Sequence, residues 1–202
     1  MPYSDFTLAR IKTQFGITNQ RASLFNNIEP VAPSEKLQFD LDEASHLLVR
    51  SEKAKSEWIV APILREVRAE SGRYLTIYSG EFLDVDSEKG LNGECDFILA
   101  KDINTYDINY PIVQLVEAKR GEIEAGIPQC AAQMVGAMFF NKRNETPVDR
   151  LYGCVTTGLV WQFMQLENGV LSIDETVYAL TDVDILLGVF SQIIRYYKQT
   201  LI

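Results

Sequence analysis

Residues 112–120 read Ile-Val-Gln-Leu-Val-Glu-Ala-Lys-Arg. A run this apolar on both sides of a period-two register suits a strand covered on both faces, as at the centre of a sheet with helical layers. Strict alternation puts Val113, Leu115, Glu117 and Lys119 on one face. A carboxylate and an ammonium therefore continue a face that is otherwise apolar. Ionised groups enter an interior only when paired, hydrogen-bonded or bound to a metal. The segment thus constrains the fold and points to chemistry together.

The surrounding pattern supports a mixed α/β layout, with helices flanking a central sheet. Residues 74–83, rich in aromatic and β-branched types, and residues 94–100, after the Gly90 and Gly93 turns, read as strands. Beyond residues 112–120, Gly121 and Gly126 open a loop, and Pro128 suits the first turn of a helix reaching Phe140. Residues 151–157 and 159–166 read as strands around Gly158, and Asn168-Gly169 as a hairpin turn before 170–173. Thr181-Asp182-Val183-Asp184 resembles a capping box opening a long C-terminal helix with an apolar stripe from Val183 to Tyr197.

Upstream, a helix over residues 4–14 anchored by Phe6, Leu8, Ile11 and Phe15 ends at Gly16, and residues 16–37 read as irregular. Residues 1–38 are therefore expected to be an arm packed on a single globular domain of residues 39–202. Helices are expected over 40–50 and 51–70, the second carrying the stripe Val60, Leu64, Val67. Pro62 lies inside it and must bend it or mark an early turn. Glu57, seven residues before Leu64, falls at the inward end of that stripe.

The length of 202 residues is enough for one sizeable core. Net charge is −9, which repels bare nucleic acid at long range, so any such contact needs a local basic patch or a bound cation. Cys95, Cys130 and Cys154 are widely spaced and form no C-x-x-C pair, which argues for buried reduced thiols in a cytoplasmic protein. No signal peptide is read, and the apolar stretch 185–190 is too short to cross a bilayer. His46 is the only histidine, which excludes His-rich metal sites and H-E-x-x-H chemistry; no phosphate-binding Gly-rich loop or nucleophile elbow is present.

If the strands carrying Asp96 and Glu117 are neighbours, two carboxylates and the Lys119 ammonium converge. Magnesium prefers oxygen ligands, commonly one or two carboxylates with water and substrate phosphate. Lys119 would hold the attacking water or stabilise charge growing on phosphoryl oxygens. Glu57 would be a third carboxylate. Gln129 and Gln133, four apart on one helix face, would orient water or phosphate. The plainer reading of Glu117 and Lys119, an exposed ion pair worth about 0–1 kcal/mol, fits poorly with a strand apolar on both faces.

This ordered set, Glu57, Asp96, Glu117-Ala118-Lys119 and a glutamine helix, resembles the PD-(D/E)XK nuclease superfamily over roughly residues 50–165. Residues 155–163 are also similar to the strand pair after the helix in restriction-type nuclease domains. Cys95 stands where the superfamily name has proline. The resemblance implies a restriction-endonuclease-like core and a Mg²⁺-dependent (or Mn²⁺-dependent) endonuclease acting on DNA rather than RNA. It assigns Asp96, Glu117 and the Ala118 carbonyl to the metal, with Glu57 as the first-helix acid. It makes Lys119 the catalytic lysine and Gln129 or Gln133 the trailing glutamine. Cutting both strands would call for a homodimer. The rival is a catalytically inactive binding or assembly module on the same fold, whose DNA contacts a partner protein would supply.

Overall fold

A computed structural model describes residues 2–201. Its centre is a seven-stranded mixed sheet, in the order β1-β7-β6-β5-β4-β3-β2. The strands are β1 (Thr18–Ala22), β2 (Leu75–Phe82), β3 (Glu94–Lys101), β4 (Ile112–Ala118), β5 (Arg150–Thr156), β6 (Val160–Glu167) and β7 (Val170–Ala179). Pairing is parallel for β1 with β7 and for β4 with β5, and antiparallel elsewhere. The sequence reading of a mixed sheet flanked by helices holds at this level.

Helices cover both faces. On one side, α1 (Leu8–Phe15) and α5 (Ile127–Arg143) pack with Tyr3 and Phe6 over Ile98, Leu115 and Val155. The opposite side carries α2 (Glu35–Ser45), α4 (Ala61–Glu70) and α6 (Val183–Thr200), over Phe97, Val116 and Phe163. Every residue of β4 is buried, as its two-sided apolar pattern requires. All three cysteines are free and buried. Among the described residues no helix is long and apolar enough to cross a membrane.

Four expectations need correction. The stretch read as irregular contains β1, which extends the sheet beside β7, so residues 1–38 contribute a strand as well as packing on the core. The helix expected over 40–50 lies at Glu35–Ser45, where the Ser34 hydroxyl accepts the Leu37 N–H. No side-chain capping box opens α6; the Thr181 hydroxyl is within hydrogen-bond distance of Asp182 instead. Strict alternation also fails in β4. Its register with β3 shifts between Leu99 and Ala100, so Val113 joins the core on the α4–α6 side while Leu115 faces α5.

The helix expected over 51–70 forms in three parts: α3 (Glu52–Lys55), a π turn (Ser56–Val60), and α4. Ala61 N–H donates five residues back, to Ser56, and Pro62 has no N–H to give. A π turn absorbs one extra residue, rotating everything upstream by about 100° relative to a continuous α-helix.

Candidate active site

Asp96 and Glu117 are brought together by the β3–β4 pairing. The β3–β4 ladder ends at Phe97 opposite Val116. One step further, the strands part and the Asp96 carboxylate takes over, accepting the Ala118 N–H at 2.7 Å. Lys119 follows directly, and its own N–H donates to Thr156 O at 2.7 Å, which fixes it to the end of β5.

Side chains from α5 close the arrangement. The Lys119 ammonium donates to Glu117 Oε1 at 2.7 Å and to Gln129 Oε1 at 3.0 Å. Gln133 donates from Nε2 to Glu117 Oε2 at 2.8 Å. Leu115, Glu117 and Lys119 therefore do share the α5 face, and Gln129 and Gln133 do meet them from one helix face. Gly126 allows this docking. A Cβ there would lie 2.6 Å from Val155 Cγ1 and 3.0 Å from Lys119 Cγ.

Electrostatics follow from burial. Glu117 is only 2% exposed. Burial and then the Asp96 charge push its carboxyl up to about 7, against the hydrogen bonds from Lys119 and Gln133. Asp96 is also raised, first by burial, with Glu52 and Glu94 adding to it and the Ala118 N–H and Lys119 opposing. For Lys119, burial pulls downward, but the bond to Glu117 and the surrounding acids prevail and its ammonium is held above its ordinary range. Two acids thus crowd one cation, and the pair would be relieved by further positive charge. The buried Oε1 of Gln133 has no hydrogen-bond partner, so one polar group of the site is left unsatisfied.

Glu57 is not part of this group. The π turn swings it to the outside, where it lies 3.7 Å from Lys53 with its side chain 57% exposed. It borders a groove with Phe39 and Trp58. The helical acid nearest the site is Glu52, whose Oε2 accepts the Arg120 N–H at 3.0 Å. It follows Ser51, whose hydroxyl caps α3, so in sequence it looks like an ordinary first-turn acid. Only the π turn, which no residue pattern announced, separates the two.

Hard oxygen donors fit a magnesium-type ion here: the Asp96 and Glu117 carboxylates, with the Ala118 carbonyl between them in sequence. Among the described residues no group of three or more His, Cys, Asp or Glu side chains is placed to hold a metal. A two-carboxylate site with water and phosphate completing the shell needs no such group. No protein-family model, curated protein or solved structure matches the chain.

Proposed function

We propose that this chain is a metal-dependent nuclease of PD-(D/E)XK type, hydrolysing phosphodiester bonds in DNA on a restriction-endonuclease-like core. The observation that supports it best is the convergence of Asp96, Glu117 and Lys119 at the end of a buried central strand, held by 2.7 Å contacts. A structural ion pair has no need of a second, energetically unfavourable buried carboxylate beside it.

In this reading Asp96, Glu117 and the Ala118 carbonyl would hold Mg²⁺ or Mn²⁺, which when bound neutralises charge on a phosphoryl oxygen and lowers the pKa of water. Lys119, partly exposed, orients the incoming water with its ammonium and stabilises negative charge growing on the phosphoryl oxygens. Gln129 and Gln133 position these groups, one gripping the ammonium and the other the carboxylate. Arginine would not replace Lys119, because its broad planar fork does not match the compact grip of Glu117 and Gln129 on an ammonium.

The test is plasmid DNA incubated with purified protein and Mg²⁺ or Mn²⁺, beside Lys119→Ala and an EDTA control. Cleavage by wild type alone is expected, with an RNA substrate cut less well. A second reading, the inactive binding or assembly module, has its own support. Net charge is −9, and both Glu117 oxygens are already engaged within the chain. Folded protein that neither cuts DNA nor gains thermal stability from divalent ions would favour the module.

A further inference from the structure

Parallel β4 and β5 run side by side, with Ala118 opposite Thr156 at their carboxyl ends. Ligands of open α/β sheets gather beyond such ends. Here the chain forms a cavity of about 340 Å³, bordered by Lys55, Arg120, Glu122, Glu124, Thr157 and Gln162. It begins one residue beyond Lys119.

Two cations face it without an acid partner. Arg120 is exposed, and among the described residues no hydrogen bond or ion pair engages its guanidinium; its backbone alone is held, by Glu52 Oε2 on the N–H and Lys55 Nζ on the carbonyl at 2.9 Å. Lys55 spends one donor on that carbonyl and keeps two. The clasp from α3 therefore fixes the Lys55 ammonium and the Arg120 backbone relative to Lys119. Glu122 and Glu124 border the same cavity and oppose a polyanion, though neither is ion-paired with Lys55 or Arg120.

We propose that Lys55 and Arg120 form a phosphate subsite that holds the backbone of a nucleic-acid strand next to the phosphate being cleaved. This rests on the nuclease reading of the Asp96–Glu117–Lys119 site and extends it by giving the strand a path across the ends of β4 and β5. Glu122 and Glu124 weaken the grip, so the subsite selects a strand already engaged at the Asp96–Glu117–Lys119 site over DNA met by chance.

Fluorescence anisotropy of a labelled DNA duplex, with Ca²⁺ in place of Mg²⁺ and a series of KCl concentrations, tests it. Arg120→Gln and Lys55→Gln should each weaken binding about 3–10-fold and flatten the log K against log salt slope by about 0.9 per lost contact. Lys55→Arg should retain the wild-type slope, and the pair Glu122→Gln with Glu124→Gln should bind more tightly. Unchanged affinity and slope in both neutral variants, with wild-type melting temperatures, would overturn the subsite while leaving a cleaving wild type intact. If Lys55→Gln loosens the fold, Arg120→Gln decides, since its side chain makes no internal bond. A wild type that neither binds nor cuts DNA would remove the nuclease reading and the subsite with it.

Discussion

Glu117 is the residue on which the chemistry and the stability of the molecule meet. Its folded carboxyl sits near 7 against an ordinary 4.5, so the folded state takes up a proton more readily than the unfolded chain. The stabilising contribution of that proton is complete below about 4.5 and is lost as pH rises through about 7. Without divalent ions, Glu117→Gln should therefore be more stable than wild type at pH 8, by up to a few kcal/mol, and should flatten the difference in melting temperature between pH 5 and pH 8. Calorimetry at both pH values checks this. Mg²⁺ at pH 8 should raise the melting temperature of wild type and not of Glu117→Gln. Gly126→Ala is expected to act on the other partner. Its methyl would push against Lys119 and Val155, and DNA cleavage should fall between about tenfold and a hundredfold while the fold survives, read by cleavage rate beside circular dichroism.

At the scale of elements, α5 is fastened to β4 by amides at both ends. Asn141 accepts the Ile112 N–H and donates to the Ile112 carbonyl, both at 2.7 Å, standing in for β5, whose pairing with β4 begins only at Gln114. Gln133 and Gln129 do the same service for the charged end. Asn141→Ala strands two buried backbone groups and should destabilise the protein by about 2–4 kcal/mol in urea unfolding. This geometry also explains what could be read in advance. β4 and α5 were legible because burial on both faces and the Gln129–Gln133 spacing are local patterns. So were Asp96 and Lys119, which β-pairing of adjacent hairpin-linked strands nearly forces into proximity. β1 was not legible: Thr-Asn-Gln-Arg-Ala has no apolar alternation, because neither face of this edge strand is covered and its first four residues are all exposed. Nor was the outward turn of Glu57, since a π turn leaves a period count from Leu64 off by one residue. The Val113 irregularity was hidden for the same reason, an inserted residue being invisible to any fixed period.

Across the whole molecule, the N-terminal residues act as part of the core. Tyr3, Phe6, Ile11 and Ile17 are buried, and the Tyr3 hydroxyl donates to Leu83 O at 2.7 Å. Deleting residues 1–22 should therefore uncover the α5 face and the β7 edge together, giving aggregated or poorly packed protein by size-exclusion chromatography and near-ultraviolet dichroism. The pairing of β1 with β7 has a further meaning for how such a protein comes into being. Thr18 lies opposite Val170, so the first strand leaves the ribosome about 150 residues before its neighbour exists. At roughly 5–20 residues per second, it waits on the order of ten to thirty seconds beside a growing, incomplete sheet. The sheet is thus completed only when β7 reaches a strand made long before it, and a cell that slowed or crowded that interval would meet the unpaired strand as a sticky nascent chain.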